Sequence, residues 1–192
     1  MNKKILLFGL IGAMAFSSVA CQKNDNKTQV QELDTKLIGG GPVDQEKKKI
    51  LDGSEEFGNI TYKISNAWKS TEKDGLKIYV LNDENPVHIQ IGESDVPEDV
   101  PEKDYLELSD AFLDELFQHS AASPFLERTV GGETIHGKRG SISVNGRPIE
   151  AIAYIAIRDN KIYRFTIMSH ISLEDDDVEI FKNMLDSVEF KQ

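Results

Sequence analysis

Segments with the spacing of β-strands begin at residue 60 of this 192-residue chain. Residues 60–64 alternate apolar and polar side chains, as a strand with one buried face does. Residues 76–81 and 87–91 are two further apolar segments, and the polar residues 82–86 between them end in proline and predict a turn. The pattern therefore predicts a strand followed by a hairpin.

A three-stranded meander is predicted further along the chain. Its strands span residues 135–144, 149–157 and 161–169. Asn145-Gly146 and Asp159-Asn160 separate these strands, and Asn-Gly favours a two-residue hairpin turn because both central positions need positive φ. Residues 151–157 of the middle strand are apolar on both faces, so this strand is expected at the centre of a sheet that is covered above and below.

Two segments have the 3.6-residue spacing of amphipathic helices, and the first spans residues 103–119. Its polar stripe contains Glu107, Asp110, Asp114 and Gln118, and its apolar stripe contains Tyr105, Leu108, Phe112, Leu113 and Leu116. The second helix is predicted to begin at Ser172, because Ser172 and Asp175 resemble a capping box. It leads into a short predicted strand at residues 188–190.

Together these elements predict one α+β domain at residues 56–192, expected to be monomeric. An antiparallel or mixed sheet lies between the two helices, which is an α/β/α arrangement. Residues 21–55 are polar and contain a Gly-Gly-Gly-Pro sequence and a run of charged residues. Because such a segment buries too little apolar surface to offset the entropy of ordering, it is predicted to be a flexible tether or, alternatively, an arm that binds a partner.

The first 20 residues have the pattern of a secretory signal peptide. Lys3 and Lys4 precede an apolar run that ends at residue 20 and is shorter than the roughly 20 residues of a membrane span. Small residues lead to Cys21, the single cysteine, and this end resembles a bacterial lipobox. The resemblance implies that Cys21 is acylated, becomes the first residue of the mature protein and anchors it to a membrane, facing the periplasm or the exterior.

The net charge of the chain limits the kinds of partner that it can bind. Its formal net charge is −11, and because the predicted signal peptide carries Lys3 and Lys4, the remainder has a net charge of about −13. An acidic protein repels phosphate backbones and anionic headgroups. We therefore expect no nucleic-acid partner, and we expect membrane attachment only through acyl chains on Cys21.

The order of these features resembles a known family. The lipobox and the polar segment precede a strand that leads into residues 64–68, Ile-Ser-Asn-Ala-Trp. The hairpin, the acidic helix, the meander and the closing segment at residues 181–190 follow. This order is similar to that of PsbP/Mog1-like domains, and more closely to that of the DcrB-like bacterial lipoproteins, over residues 51–190.

The resemblance implies an antiparallel sheet between helices and a binding or assembly module, not an enzyme. DcrB-like proteins are components of the cell envelope, so the resemblance also implies this location and an envelope protein as partner. It implies no catalytic residue. Gln22 follows Cys21, where some lipoproteins that are retained at the inner membrane have aspartate.

Residues that catalyse reactions or bind metals form no recognised motif in this chain. The four histidines are His88, His119, His136 and His170. They lack the spacing of a zinc site, and residues 175–177, three aspartates, lack the glycine and glutamate of a calcium loop. We predict no metal and no cofactor. The alternative function is a hydrolase of cell-wall or lipid material, whose catalytic carboxylates the sequence does not single out.

One set of polar side chains is predicted to share a face of the meander. If the two turns set the register, Lys138 lies opposite Ala153 and Ile155 lies opposite Arg164, and directly opposed residues share a face. This face carries His136, Lys138, Gly140, Ala151, Ala153, Arg164 and Thr166. The other face carries Ile152, Tyr154, Tyr163, Phe165 and Ile167, which suit the packing of a helix.

Two interpretations of the basic face remain open. The candidate binding residues are His136, Lys138, Arg164 and Thr166. Small residues on the same face leave space beside them, so the four side chains suit an anionic ligand or an acidic loop of a partner. Alternatively, the small residues let the C-terminal helix approach closely, and Glu179 or Asp186 of that helix pairs with Arg164.

Overall fold

Antiparallel strands and two helices make up most of the chain that the structure describes. The structure is a computed structural model and describes residues 49–81, 86–118, 122–144 and 146–191. The predicted signal peptide, Cys21 and residues 22–48 of the predicted tether lie outside these residues, as do His119 and Asn145.

The secondary structure agrees closely with the predicted order of elements. The strands are β1 (Gly53–Phe57), β2 (Ile60–Ile64), β3 (Lys69–Lys73), β4 (Leu76–Val80), β5 (Val87–Asp95), β6 (Leu126–Val130), β7 (Glu133–Val144), β8 (Arg147–Arg158), β9 (Lys161–Ser169) and β10 (Glu189–Phe190), and the helices are α1 (Tyr105–Leu116) and α2 (Asp175–Asp186). A short 3-10 helix, Glu102–Asp104, leads into α1. β1, β3 and β6 are additional to the predicted strands.

These strands form two antiparallel sheets. The larger sheet has the order β3-β4-β5-β9-β8-β7-β6, and the smaller sheet has the order β1-β2-β10. β8 lies between β7 and β9, as its apolar residues on both faces predict. The predicted α+β fold class, with an antiparallel sheet between helices, is confirmed.

The turns of the meander set the register that the sequence predicts. Lys138 of β7 lies opposite Ala153 of β8, and Ile155 of β8 lies opposite Arg164 of β9. In the turn between β8 and β9, residues 159–160 have φ angles of 51° and 58°. Positive φ at both central residues is what a type I′ turn needs, so the hairpin keeps the predicted register.

Each face of the larger sheet packs against a different helix. α2 and the smaller sheet cover the face that carries Tyr154 and Phe165, and the ring centroids of Tyr154 and Phe181 are 6.3 Å apart. α1 packs on the opposite face, against β7 and β8, where Leu113 and Ala153 are both 0% exposed. Burial of apolar surface in these two layers is the main contribution to stability.

The ends of both helices differ from the predicted ends. α1 covers Tyr105–Leu116 of the predicted residues 103–119. α2 begins at Asp175 with Glu174 as its N-cap, and no side chain in this part of the chain caps it. The capping box predicted for Ser172 and Asp175 is therefore wrong, because the Ser172 hydroxyl lies 3.3 Å from a Glu174 carboxylate oxygen. Three aspartates in the first turn of α2 suit the helix dipole instead.

β1 crosses the boundary predicted between the tether and the domain. It pairs with β2, and just before it the Asp52 carboxylate accepts a hydrogen bond from the Asn66 N–H at 2.8 Å. The sheet thus starts at Gly53, ahead of the domain start predicted at residue 56. The sequence does not predict β1 because its residues, Gly-Ser-Glu-Glu-Phe, lack a repeated apolar position.

Candidate functional site

Backbone register places the predicted site residues in two neighbouring rows across the larger sheet. From β5 to β7, the first row is Gly92, Arg164, Ile155 and His136, and the second row is Gln90, Thr166, Ala153 and Lys138. Because directly opposed residues share a face, both rows lie on the side of the sheet where α1 packs. The four predicted binding residues are therefore on one face, but at different distances from α1.

Two of these residues are paired with α1. The His136 Nδ1 lies 2.6 Å from a carboxylate oxygen of Asp110, and the Lys138 ammonium forms an ion pair with Asp114. Asp110 and Asp114 are four residues apart on α1, so one side of the helix presents both carboxylates to β7. The Lys138 ammonium also lies 4.3 Å from the centroid of the Phe125 ring. These contacts attach α1 to β7 and offset the charge of Lys138.

Arg164 and Thr166, the other two predicted residues, have no such partners. In the described part of the chain, the half-buried Arg164 guanidinium has neither a hydrogen bond nor an ion pair, and burial alone lowers its pKa. Arginine nevertheless keeps its charge in proteins. Neither the Thr166 hydroxyl nor the Gln90 amide is hydrogen-bonded to a described residue, although these side chains are only 2% and 3% exposed. We call Arg164, Thr166 and Gln90 the Arg164 cluster.

Small residues flank the Arg164 cluster. A Cβ atom at Gly92 would lie 2.9 Å from Leu76 Cδ2 and 3.7 Å from Arg164 Nη2, so the guanidinium lies close over the glycine backbone. Ala153, beside Thr166 in the second row, is 0% exposed. Neither the glycine nor the alanine has a side chain that can pair with the polar groups of the cluster.

The C-terminal helix does not pair with Arg164. α2 packs on the opposite face of the sheet, and a carboxylate oxygen of Asp186 accepts a hydrogen bond from the Arg128 guanidinium at 2.6 Å. The interpretation in which α2 covers the basic face, and Glu179 or Asp186 pairs with Arg164, is therefore wrong. Ala151 and Ala153 of this face, both 0% exposed, belong to β8, against which α1 packs instead.

Gln90 is the member of the Arg164 cluster that the sequence does not predict. Alternation along β5 places Gln90 on the opposite face from Ile89 and Ile91. The alternation predicts which face of β5 carries Gln90, but it does not predict which strand lies beside β5. No turn joins β5 to β9, so their pairing cannot be counted from the sequence. Only the assembled sheet brings Gln90 opposite Thr166.

Arg139 and Glu150 form a pair of charged side chains on the surface of the larger sheet. Burial raises the pKa of Glu150, but hydrogen bonds from the Leu173 N–H and the Arg139 guanidinium lower it by more. The pKa of Glu150 is therefore below its ordinary value. Arg139 and Glu150 line an open cavity of about 640 Å³, and they lie 2.7 Å apart there. A carboxylate with a lowered pKa is unsuited to be a general acid. Within the described residues, no group of three or more His, Cys, Asp and Glu side chains could hold a metal ion.

The order and pairing of the strands and helices define a PsbP-like α+β fold. The chain is similar to the solution structure of cyanobacterial PsbP (CyanoP) from Synechocystis sp. PCC 6803, with 12% sequence identity and a TM-score of 0.52. The match covers 69% of this chain and 86% of that chain. The predicted resemblance to PsbP/Mog1-like domains is therefore confirmed for the fold, which is all that an identity this low shows.

Two further solved structures are similar at lower TM-scores. LpqN, involved in cell envelope biogenesis of Mycobacterium tuberculosis, has 16% identity and a TM-score of 0.49, over 69% of this chain and 83% of that chain. PA94 from Pseudomonas aeruginosa has 14% identity and a TM-score of 0.40, over 66% and 85%. No protein-family model and no curated protein matches the chain. The predicted likeness to DcrB-like lipoproteins stays a prediction.

Proposed function

We propose that this protein is a lipid-anchored component of the bacterial cell envelope, and that its PsbP-like domain binds a ligand or partner without catalysing a reaction. The observation that carries the proposal is the Arg164 cluster, whose polar groups have no partner in the described part of the chain. Each of these groups can therefore hydrogen-bond a ligand without first breaking a bond to a described residue.

Cys21 and the residues around it support the envelope location. The signal-peptide pattern before Cys21 directs export, and acylation of its thiol would hold the domain at a membrane surface. The proposal places the domain on the periplasmic or exterior side, as the resemblance to DcrB-like lipoproteins implies. In the described residues, no helix has the length and apolar character needed to cross a membrane.

Mass spectrometry of the mature protein from bacterial membranes tests the anchor. We expect Cys21 to be the first residue and to carry acyl chains, and we expect Cys21→Ala to lose both processing at this position and acylation. An unmodified Cys21 in the mature protein contradicts the anchor.

Photo-crosslinking in intact cells tests the binding module. A photoreactive residue at Thr71 lies on exposed β3, on the same face as the Arg164 cluster, whereas one at Glu179 lies on the exposed side of α2. We expect an envelope component to be captured from position 71 and not from position 179. We also expect capture to fall when Arg164→Gln is combined with position 71. Equal capture at both positions contradicts a binding site on this face.

A further inference from the structure

The Arg164 cluster brings three hydrogen-bond donors to one patch of the sheet. Arg164 and Thr166 are two residues apart on β9, so they share a face and their Cα atoms are about 7 Å apart. Gln90 lies directly opposite Thr166, which places their Cβ atoms roughly 5 Å apart. The guanidinium and the amide NH₂ are donors, and the hydroxyl can donate. One small acceptor group can therefore meet all three side chains.

The charges around the cluster favour a monoanion. Among the described residues of the two rows, the Lys138 ammonium is paired with the Asp114 carboxylate. The Arg164 guanidinium has no carboxylate partner there. Lys69 and Lys73 lie on the same face, but they belong to β3. Three strand spacings, about 14 Å, separate the backbone of β3 from that of β9. That separation exceeds the screening length of roughly 8 Å at physiological salt. In a chain with a net charge of −11, a second negative charge on the ligand would be repelled.

An apolar strip lies beside the cluster on β4. Leu76 is opposite Gly92, Ile78 is opposite Gln90, and Val80 continues the same face of the strand. All three apolar side chains are half-buried, so each still presents part of its surface to solvent. A hydrocarbon group attached to an anion in the cluster would cover this strip and remove apolar surface from water.

We propose that the Arg164 cluster binds the carboxylate of a small amphiphilic monocarboxylic acid, and that the hydrocarbon part of the ligand lies on the apolar strip of β4. This inference rests on the proposed function as a binding module and names its ligand class. A planar carboxylate accepts two parallel hydrogen bonds from a guanidinium. The Thr166 hydroxyl and the Gln90 amide then donate to the remaining lone pairs of the same carboxylate.

Hexanoate is a suitable probe because it combines a carboxylate with a short hydrocarbon chain. The full chain, with ¹³C-labelled methyl groups, is placed in phospholipid nanodiscs and titrated at pH 7 while methyl NMR signals are recorded. We expect saturable shifts of the Ile78 methyl signals and none for Ile180, a buried residue of α2, which packs on the other face of the sheet. Inorganic phosphate is expected to give no saturable shift, and uncharged hexanol to bind at least about tenfold more weakly.

Matched variants separate the cluster from general charge effects. Arg164→Gln should weaken hexanoate binding by about 10- to 100-fold, and Thr166→Val by about 2- to 10-fold, as expected for the loss of a charged and a neutral hydrogen bond. Arg147→Gln removes the same charge from an exposed position next to the β7–β8 turn and should leave binding unchanged. The methyl spectrum without ligand checks that each variant is folded.

Four results would overturn the inference. If Arg164→Gln leaves the Ile78 shifts unchanged, or if hexanol binds as well as hexanoate, the apolar strip binds alone and the cluster has no role. If phosphate shifts Ile78 and hexanoate does not, the ligand class is wrong. A silent hexanoate titration also rejects this ligand class, whereas the crosslinking at position 71 tests the binding module independently.

Discussion

Two tyrosine hydroxyls meet inside the core between the two sheets. Tyr62 of β2 and Tyr79 of β4 are both 1% exposed, and their hydroxyl oxygens are 2.6 Å apart. Their rings are nearly perpendicular, with centroids 6.2 Å apart. Burial raises the pKa of both phenols, because a phenolate is poorly solvated in the core. The pair therefore joins the smaller sheet to the larger one while both hydroxyls stay neutral.

Removing either hydroxyl leaves the other one buried without its partner. We expect Tyr62→Phe and Tyr79→Phe each to lower the free energy of unfolding by about 1–3 kcal/mol. The double variant should lose clearly less than the sum, since it leaves no unpaired hydroxyl. Urea denaturation followed by the fluorescence of Trp68, the single tryptophan, measures these values. Additive losses would show that the two hydroxyls do not depend on each other.

The raised pKa values also set the alkaline limit of stability. In the unfolded chain, a tyrosine loses its proton near pH 10, whereas the folded pKa values of Tyr62 and Tyr79 lie higher. The unfolded state therefore binds fewer protons above pH 10, and stability falls as the pH rises. We expect the double phenylalanine variant to lose less stability than the wild type between about pH 9 and pH 11. Equal losses in pH-dependent urea denaturation would contradict the assignment.

At the scale of elements, α1 lies closely on β8 because the sheet beneath it has small side chains. Ala151, Ala153 and Leu113 are all 0% exposed, and the Ser109 hydroxyl donates to the Ile155 carbonyl at 3.3 Å. Acidic residues on the same helix pair with the basic residues of β7. Apolar packing and charge pairing thus fix the position of α1 over β7 and β8, next to the strand that carries Arg164.

Placing a charge under α1 should separate the helix from the sheet. We expect Ala153→Arg to lower stability by more than about 4 kcal/mol, because a long charged side chain cannot fit in a fully buried strand position. Ala111→Arg, on the exposed side of α1, makes the same substitution and should change stability by less than about 0.5 kcal/mol. Thermal unfolding followed by circular dichroism compares the two. Similar melting temperatures would mean that α1 does not cover Ala153.

Elements that carry their own local signal were predictable from the sequence. The meander was predicted with the correct register because its strands are joined by turns, from which opposed residues can be counted. β3 was not predicted, since all five of its residues are exposed and its pairing with β4 depends on backbone hydrogen bonds. The sequence predicts the correct face for Arg164 but does not predict Gln90 as its neighbour, because α1 and three strands separate β5 from β9 in the chain. The acidic stripe of α1 was seen, although its pairing with β7 was not.

At the scale of the whole molecule, β1 contributes an ion pair as well as a strand. The Lys77 ammonium of the larger sheet is 2.6 Å from a Glu55 carboxylate oxygen and donates to the Glu56 carbonyl at 3.1 Å. Lys77 is only 8% exposed, and Phe57 of β1 belongs to the core. Lys49 precedes β1 and forms an ion pair with Asp176, and this ion pair is much more exposed than that of Lys77. The folded unit therefore needs β1 but not the residues before it.

Truncation locates the start of the folded unit. A chain that begins at Asp52 should unfold in one sharp, cooperative transition, because it keeps β1 and loses the half-buried Leu51 and an exposed ion pair worth about 0–1 kcal/mol. A chain that begins at Gly58 lacks β1, leaves Lys77 buried without its carboxylate and should lose about 3–5 kcal/mol or fail to fold. Differential scanning calorimetry of the two truncated chains tests this. Equal transitions for both would place the start of the folded unit after β1.

We infer that Arg164 stays without a protein partner, at the expense of stability, because it binds a ligand. Thermal unfolding of the full chain in nanodiscs, with 5-fluorotryptophan at position 68 and ¹⁹F NMR as the readout, tests it most directly. Without ligand, Arg164→Met should melt a few degrees above the wild type, because replacing an unpaired, partly desolvated charge stabilises the fold by about 1 kcal/mol. Hexanoate should raise the melting temperature of the wild type and not that of Arg164→Met. If Arg164→Met melts below the wild type and hexanoate shifts both proteins equally, Arg164 stabilises the fold and is not a ligand site.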